Sequence, residues 1–414
     1  MKKIVLFPGQ VASTFFANEI EYIKQNFEIQ AIFSYGESRE EAETALKRYQ
    51  IDTDVLHCVD EIIINMWKFI KWFFSKTVLR EIISQCIGKK KMFKRIAYCM
   101  FYGIYAVKVE QQMSTFNVRD DIVLYSFWMT RGAYAMEHLK QSGAWTSLYS
   151  IARAHGYDLY LERNEMRYLP FRNFINKSIN SVSFISQNGL DYYTDLFPNF
   201  ENGQVRRLGS YNEMNVRKEV FKKDRICIAS CSSIIQIKRL DIMIDILSDL
   251  DLPIRWIHLG DGELKKKIEE LASEKLNNTF VEYHFMGNVD NSKILDIYKK
   301  EDVDFFINTS DSEGIPVSIM EAISCGIPVL ARNVGAIGEI VNEGTGLILD
   351  NIDRDKIRTF FQYRLQDEKK YNEYSLNCIN EWKENYSAKK NYKDFFDKIR
   401  NNGYNMFTSD ICVN

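Results

Sequence analysis

Two glutamates eight positions apart enclose the stretch of this sequence whose residue types could do chemistry. Glu313 and Glu321 flank a Gly-Ile-Pro turn, which follows the apolar run Phe305–Asn308. This order predicts a buried strand, a tight loop and then a helix that begins near Val317 or Ser318. The unpaired N–H groups of a helix start favour an anion, and the two carboxylates could accept hydrogen bonds from hydroxyl groups. A nucleotide sugar offers both a phosphate and hydroxyl groups.

The residues that follow distinguish a ligand site from an ordinary surface helix. Two glutamates at this spacing are, by themselves, more typical of the polar edge of a helix. Here, Gly326 and Pro328 end the helix and start the next strand, and residues 333–339 add a second glycine-bearing loop. This run of about forty residues resembles the donor-sugar signature of retaining glycosyltransferases of sequence family 4, which have the GT-B fold.

The resemblance implies an α/β chain of the GT-B class, with two Rossmann-like domains that face each other across a crevice. Strand and helix patterns that alternate along the 414 residues favour the same architecture. We predict an N-terminal acceptor-binding domain at residues 1–210 and a nucleotide-sugar-binding domain at residues 225–380. A C-terminal helix over residues 381–405 is expected to cross back to the first domain.

The resemblance also assigns roles around the glutamate pair. Glu313 is expected to contact the donor sugar, and Glu321 is expected to bind the ribose hydroxyl groups. The backbone between them would hold the diphosphate, and the positions concerned are Gly314, Ile315, Pro316, Val317 and Ser318. Because proline has no N–H group, the donors would come from the neighbours of Pro316.

A basic loop after another predicted strand is expected to neutralise the diphosphate. In the family, a Gly-Arg pair ends this strand, and a lysine follows five residues after the arginine. This sequence keeps Lys238 but has Ser233 at the arginine position, and Arg239 could compensate only if the loop turned it inward. A solvated turn is the alternative for both cations. Beside the glutamate pair, we predict Lys238 as a phosphate ligand and keep Ser233 as a donor-binding position.

Two loops in the first half of the sequence extend the predicted site. His155 follows an aliphatic strand end, as the family's active-site histidine does, and is expected to hydrogen-bond the donor sugar. A lone histidine in this position is otherwise more often a structural residue. Gly9, after the first predicted strand, would let a ligand approach the backbone closely, although many relatives have a Gly-Gly pair there. The predicted catalytic residues are therefore His155, Glu313 and Lys238, and Gly9 is a predicted donor contact.

Three shorter motifs give weaker signals. Residues 260–262 lack the third glycine of a dinucleotide fingerprint, and a simple turn also explains them. Gly287 and Asn288 occupy the family's usual place for contacts with the base. Asp302 and Asp304 mimic an Asp-x-Asp metal motif but stand where a strand starts, so no metal site is predicted. No cofactor is expected, and the nucleoside-diphosphate sugar is the substrate.

Composition argues against several other classes of protein. A formal net charge of -2 gives no case for nucleic acid as a partner, and a 46% hydrophobic content indicates a globular chain. The eight cysteines form no C-x-x-C pair, which favours free thiols in a reducing cytoplasm. The apolar run at the N-terminus is too short for a signal peptide, and no run is long enough to span a bilayer. A cytoplasmic location is predicted, with peripheral contact at the inner face of the membrane left open.

Residues 66–95 interleave basic residues with large aromatic residues. Such a segment could lie on an anionic membrane surface. A core helix with lysines on its solvent face is the alternative. Family members that act on lipid-linked acceptors often carry a segment of this kind in the first domain, which slightly favours membrane contact.

The resemblance therefore implies a metal-independent, retaining hexosyltransferase that acts on a lipid-linked or growing glycan. Capsule, exopolysaccharide or other surface polysaccharide assembly is the expected setting. Two alternatives stay open. A nucleotide-sugar epimerase of the same fold would consume the donor without an acceptor. A catalytically degenerate GT-B partner subunit is suggested by Ser233 and by the single glycine at Gly9.

Overall fold

The structure, a computed structural model, describes residues 2–116, 122–143, 148–212, 224–350 and 352–401. The chain divides into two compact units. Unit 1 comprises Met1–Arg206 and Tyr392–Asn414, and unit 2 comprises Arg207–Asn391. The part of the predicted domain boundary at residues 213–223 and the end of the predicted C-terminal helix at residues 402–405 lie outside the described residues.

The described part of unit 1 contains a seven-stranded parallel sheet with the strand order β3-β2-β1-β4-β5-β6-β7. Its strands are β1 (Lys2–Gly9), β2 (Phe27–Ser34), β3 (Leu56–Cys58), β4 (Ile122–Ser126), β5 (Leu148–Ala154), β6 (Ser181–Phe184) and β7 (Gly203–Val205). Its helices are α1 (Thr14–Asn26), α2 (Arg39–Arg48), α3 (Met66–Phe73), α4 (Lys76–Glu81), α5 (Met92–Met113), α6 (Arg131–Gln141), α7 (Arg172–Ser178) and α8 (Gln187–Leu196). The central strands are apolar on both faces because helices cover both sides of the sheet.

The described part of unit 2 contains a second parallel sheet, with the order β10-β9-β8-β11-β12-β13. Its strands are β8 (Ile226–Cys231), β9 (Ile254–Leu259), β10 (Val281–Phe285), β11 (Phe305–Asn308), β12 (Val329–Arg332) and β13 (Gly346–Leu349). Its helices are α9 (Leu240–Ser248), α10 (Lys265–Leu276), α11 (Ile294–Lys300), α12 (Val317–Ser324), α13 (Arg354–Gln366) and α14 (Glu368–Glu381). The last helix, α15 (Ala388–Asn401), begins in unit 2 and continues in unit 1. The order reverses beside β8 and β11, and the loops that follow these two strands carry the predicted phosphate and sugar contacts.

The C-terminal helix α15 contributes to both units. Asn391, still in unit 2, donates a hydrogen bond to the Leu208 carbonyl at 2.8 Å. From Tyr392 onward the helix packs in unit 1, where the Phe395 ring lies 5.7 Å from that of Tyr125 and the Phe396 ring contacts Phe27. Aromatic side chains on one face of α15 therefore anchor it to the core of unit 1.

Candidate active site

Lys238 and Glu313 form the centre of the candidate site in unit 2. Lys238 ends a short turn after β8, and its Nζ atom lies 2.6 Å from Glu313 Oε1. The same oxygen accepts hydrogen bonds from Ser310 Oγ at 2.7 Å and from Asn308 Nδ2 at 3.4 Å. The Glu313 side chain is 9% exposed and that of Lys238 is 24% exposed. The carboxylate is thus held in place by three donors, while the ammonium group keeps access to a ligand.

Arg239 is engaged elsewhere and does not replace the missing cation. Its backbone is left-handed, with φ +50°, and its guanidinium pairs with Asp241 at 2.9 Å and with Asp311 at 3.1 Å. Asp311 also pairs with Arg332, and Thr309 Oγ1 donates to the Arg239 carbonyl at 2.9 Å. These contacts join the loop that carries Lys238 to the loop that carries Glu313. Arg239 therefore belongs to an ion-pair network between the two loops, and the phosphate contact of Lys238 stays a prediction.

Gly335, in the second glycine-bearing loop, lies against the backbone of Glu313. Its φ is +57°, and a Cβ atom at this position would lie 1.9 Å from the Glu313 carbonyl oxygen. Only glycine fits such an approach without a shift of the backbone. The loop after β12 therefore packs against the backbone of Glu313 and supports its position.

The start of α12 presents backbone donors next to this pair. Pro316 is the N-cap residue, and no side chain from the described part of the chain caps the helix there. The N–H groups of Val317 and Ser318 lie in the first turn, where an α-helix has no internal acceptors. The positive end of the helix dipole adds to their attraction for an anion. The five residues predicted to hold a diphosphate, 314–318, therefore include a helix start that can bind one.

Glu321 lies one turn into α12 and is 6% exposed. Burial raises the pKa of Glu321 to about 7, and the Asn291 side chain offsets part of that rise. Glu321 and Lys238 both lie close enough to Cys231 to affect the pKa of its thiol, which burial raises to about 12. Lys238, Glu313 and Glu321 thus belong to one cluster at the carboxyl ends of β8 and β11.

The loops after β8, β9 and β10 are held together by close backbone contacts. The Gly260 N–H donates to the Gly287 carbonyl at 2.9 Å, and a Cβ atom on Gly260 would lie 1.9 Å from the Ser232 carbonyl oxygen. Asn288, beside Gly287, and Ser233, beside Ser232, are both exposed. The donor contacts predicted for Ser233, Gly287 and Asn288 stay predictions.

His155 lies in unit 1, directly after β5. Its backbone N–H donates to Asp158 Oδ1 at 2.9 Å, and its ring packs against Trp128 at 4.4 Å and Phe15 at 5.3 Å between centroids. Its buried Nδ1 atom has no hydrogen-bond partner in the described part of the chain, and Asp158 Oδ2 lies 3.8 Å away. Burial raises the pKa of Asp158, but hydrogen bonds and charge from His155 and the Met129 N–H outweigh it, so that the pKa lies below its ordinary value. Asp158 thus stays ionised and orients the loop of His155.

The loop after β1 carries its own carboxylate. Gly9 has φ +81°, as a tight turn requires, and the following N–H groups of Val11 and Ala12 donate to Glu37 at 2.6 and 3.1 Å. Ser13 caps α1 by accepting a hydrogen bond from the Phe16 N–H. Glu37 therefore occupies donors that a phosphate group would otherwise use, and the donor contact predicted for Gly9 stays a prediction.

One carboxylate of the Asp-x-Asp pair, that of Asp304, serves the core of unit 2, whereas Asp302 is exposed. Asp304 is buried, lies 2.7 Å from Arg364 Nε and accepts a hydrogen bond from the Cys227 N–H at 2.9 Å. Within the described ranges, no group of three or more His, Cys, Asp or Glu side chains is arranged to hold a metal ion. The structure gives Asp304 a role in joining α13 to the sheet.

The class of the second unit follows from its match to a protein family. Residues 212–380 match the model described as glycosyl transferases group 1. This segment, which contains Lys238, Glu313 and Glu321, is therefore a glycosyltransferase group 1 domain. This match does not distinguish sequence family 4 or a retaining mechanism, so both stay predictions.

Relatives of the chain are glycosyltransferases that match it in part. An uncharacterized glycosyltransferase of Methanocaldococcus jannaschii is 27% identical over 208 residues, which cover 49% of this chain and 55% of that protein. The O-antigen biosynthesis glycosyltransferase WbnH of Escherichia coli is 34% identical over 119 residues, or 28% of this chain and 31% of that protein. The chain thus spans about half the length of the first relative and about a third of the second.

Solved structures resemble the chain over nearly its whole length. HepE of Anabaena, solved in complex with UDP and glucose, has a TM-score of 0.64 at 14% identity and covers 96% of this chain and 99% of its own. The lipopolysaccharide outer core galactosyltransferase WaaB has a TM-score of 0.66 at 14% identity, with 96% and 100% covered. These likenesses confirm the predicted fold class, an α/β chain of the GT-B type with two Rossmann-like domains.

Proposed function

We propose that this protein is a retaining glycosyltransferase that moves a hexosyl group from a nucleoside-diphosphate sugar to an acceptor hydroxyl. The observation that carries the proposal is the Lys238–Glu313 pair beside the uncapped start of α12. Glu321 follows one turn into that helix. A cation and backbone N–H groups can hold a diphosphate, while carboxylates accept hydrogen bonds from sugar and ribose hydroxyl groups.

The proposed reaction needs no covalent nucleophile. The acceptor oxygen forms a bond to the anomeric carbon on the face from which the diphosphate leaves, so the configuration is retained. The proton of the acceptor hydroxyl passes to the leaving phosphate oxygen as the bond between that oxygen and the sugar breaks. Lys238 and the N–H groups of Val317 and Ser318 stabilise the negative charge that develops there. His155 is proposed to hydrogen-bond the donor sugar.

The acceptor is proposed to be a lipid-linked or growing surface glycan. WbnH acts in O-antigen biosynthesis, and WaaB is a lipopolysaccharide outer core galactosyltransferase. Both names place similar proteins in the assembly of surface polysaccharides, which supports an acceptor of this class. A role in capsule or exopolysaccharide assembly would use the same chemistry.

Two alternatives are separated by experiment. A nucleotide-sugar epimerase would consume the donor with no acceptor present. A degenerate partner subunit would bind no donor. This alternative is suggested by Ser233 and by the single glycine at Gly9. The paired Lys238 and Glu313 favour an active enzyme over that subunit, because a chain without donor binding has no need for a cation beside an uncapped helix start.

Donor binding is expected to stabilise the protein. UDP, GDP, ADP and their hexose conjugates should be compared by thermal unfolding, with and without Mg²⁺. We expect one nucleotide series to raise Tm by several degrees in the absence of metal, since a ligand present at about a hundred times its Kd stabilises by about 2.7 kcal/mol. No shift with any of these nucleotides would contradict the proposal and favour the degenerate subunit. Consumption of the donor without an acceptor would favour the epimerase.

Contact with an anionic membrane surface is proposed for residues 66–95. This segment forms α3, α4 and the start of α5, and its Trp72 is buried in the core of unit 1. Its other face is not buried, since Trp67, Phe74 and Phe93 are 66%, 65% and 79% exposed. Only one acidic residue, the buried Glu81, lies in the segment. The segment therefore has one side that faces the core and one that faces solvent. On the solvent side, lysines flank exposed aromatic rings, a combination that suits binding at the headgroups of an anionic membrane.

Charge removal is expected to weaken this contact. Lys76, Lys89 and Lys90 are exposed, and each cation near an anionic surface contributes roughly 1 kcal/mol. Their joint replacement by glutamine should lower binding to phosphatidylserine-containing vesicles by about a hundredfold at low salt, as measured by co-sedimentation. Replacing Trp67 and Phe74 by serine should also weaken binding, whereas Phe280→Ser, an exposed phenylalanine in unit 2, serves as the matched control. Equal sedimentation of wild type with neutral and anionic vesicles would contradict the proposal.

Within the described ranges, no helix has the length and apolarity to cross a bilayer.

A further inference from the structure

Unit 1 contains a cavity of about 550 Å³ at the carboxyl ends of its central strands. Its wall is built from the loops that follow β1, β2, β4 and β5, from the starts of α1 and α6, and from the first half of α5. The volume falls within the range of roughly 300–1,000 Å³ that small-molecule sites have, and the position is where open parallel sheets bind ligands. The residues of the Lys238–Glu313 site do not line it.

Aromatic rings dominate the wall of this cavity. The aromatic residues that line it are Phe15, Tyr35, Tyr98, Tyr102, Trp128 and Tyr157. A pyranose ring has apolar C–H faces and polar hydroxyl edges, and aromatic faces carry negative quadrupole charge that attracts such C–H groups. The Tyr102 hydroxyl is buried and has no hydrogen-bond partner in the described part of the chain, so that a ligand hydroxyl would satisfy it. The wall therefore suits a sugar.

Arg131 is the one charged side chain among the described residues that line the cavity. Its guanidinium carbon lies 3.9 Å from the centre of the Tyr35 ring. A guanidinium that is stacked on a ring keeps its N–H edges available for two parallel hydrogen bonds to a carboxylate or phosphate. The cavity thus combines a sugar-binding wall with an anion-binding group.

His155 connects this cavity to the proposed reaction. The rings of Trp128 and Phe15 line the cavity and also contact the His155 ring, at 4.4 and 5.3 Å. Glu37 holds the N–H groups of Val11 and Ala12 in the adjoining loop, which leaves Arg131 as the local anion-binding group. A ligand in the cavity would therefore lie next to the histidine that is proposed to contact the donor sugar.

We propose that this cavity binds the acceptor, and that the acceptor is a pyranoside carrying a phosphate or carboxylate group that pairs with Arg131. The identification of the ligand as the acceptor rests on the proposed function. The binding of an anionic glycoside in the cavity does not depend on it. Phosphate would come from the linkage of a glycan to its lipid carrier. Carboxylate would come from a uronic acid within the glycan.

The test compares three soluble probes on the full chain. Glucose 1-phosphate, methyl glucuronide and methyl glucoside present a phosphate, a carboxylate and no charge on similar rings. Their Kd values should be measured by ligand-observed NMR in the presence of saturating nucleoside diphosphate, which keeps glucose 1-phosphate out of the donor site. We expect at least one anionic probe to bind about tenfold more tightly than the neutral probe. The anion that binds identifies the source of the charge.

Variants assign this preference to one side chain. Arg131→Gln should reduce the difference between anionic and neutral probes to nearly nothing while leaving the neutral Kd unchanged. Arg131→Lys keeps the charge without the planar fork and should retain part of the preference. Arg48→Gln removes an exposed arginine outside the cavity and is the control. Circular dichroism and Tm identify any variant that fails to fold, and Arg131→Lys then carries the comparison.

Three outcomes would overturn the inference: no binding of any probe, no anionic preference in wild type, or a preference that persists in Arg131→Gln. Failure of the proposed function has a different signature. If no nucleotide binds, the proposed function is wrong, although an Arg131-dependent anionic preference, measured without nucleotide, would still establish the glycoside site. If a nucleotide binds and transfer occurs equally well to neutral and anionic acceptors, the inference about Arg131 is wrong and the proposed function stands.

Discussion

Glu313→Gln is expected to lower kcat/KM for sugar transfer by roughly a hundredfold to a thousandfold while the protein stays folded. The buried carboxylate holds Lys238 at 2.6 Å and accepts a hydrogen bond from Ser310 at 2.7 Å. Glutamine can keep the hydrogen bond from Ser310 but loses the charge that positions the ammonium group. Lys238→Met is expected to have an effect of the same size, because it removes the cation that stabilises the leaving diphosphate.

The double variant gives the sharper result. Because the two groups act as a unit, Glu313→Gln with Lys238→Met should be about as slow as either single variant, rather than the product of the two effects. The exposed pair Lys275 and Asp245, also in unit 2, is the matched control. Lys275→Met should leave both kcat/KM and stability nearly unchanged, because an ion pair in solvent contributes little. Wild-type rates in a folded Glu313→Gln or Lys238→Met variant would remove this pair from the mechanism.

Glu321→Gln is expected to stabilise the ligand-free protein above neutral pH while it weakens donor binding. Burial raises the pKa of Glu321 to about 7, from an ordinary value of 4.5. A raised folded-state pKa contributes stability that is fully present below pH 4.5 and is lost as pH rises through about 7. Glutamine carries no charge at any of these pH values. The variant should therefore gain up to about 3 kcal/mol relative to wild type at about pH 8, and little at about pH 4.

Urea unfolding across this pH range measures the difference, with Glu270→Gln, an exposed glutamate on α10, as the control. Nucleotide binding, in contrast to stability, should be weaker in Glu321→Gln than in wild type. An ionised carboxylate accepts hydrogen bonds from two hydroxyl groups, whereas the amide has one acceptor oxygen, so that Kd should rise about tenfold or more above neutral pH. In wild type, binding should tighten as pH rises through about 7. A stability difference that does not vary with pH, or unchanged nucleotide affinity, would contradict the assignment of Glu321.

Helix starts and glycine positions were predictable because they depend on short stretches of chain. Phe305–Asn308 forms the expected strand, and the helix begins at Val317 as predicted. Gly326 has φ +70° directly after the helix, which is the left-handed stop that its position indicated. Cysteine usage also agrees, since the seven described cysteines are free thiols. Local preferences and periodicity are sufficient for such features.

Side-chain contacts, both near and far apart in the sequence, were not predicted from the pattern. The roles of Ser310 and Asn308 as donors to Glu313 were missed, although both lie within five residues of it. Their side chains are polar in an otherwise apolar strand end, and that was a usable signal. Glu37 lies in the loop after β2 and accepts a hydrogen bond from the Val11 N–H in the loop after β1. No local sequence pattern indicates this contact.

By itself, the sequence determined the α/β class, the strand-loop-helix unit around Glu313 and the presence of a lysine in the loop after β8, since each depends on neighbouring residues. Only the tertiary structure decided which partners these side chains have. Lys238 meets Glu313 across 75 positions and Arg239 meets Asp311 across 72, because parallel strands β8 and β11 are adjacent in the sheet. Strand order is a property of packing between distant segments, and it makes Lys238 a site residue while it keeps Arg239 in the scaffold.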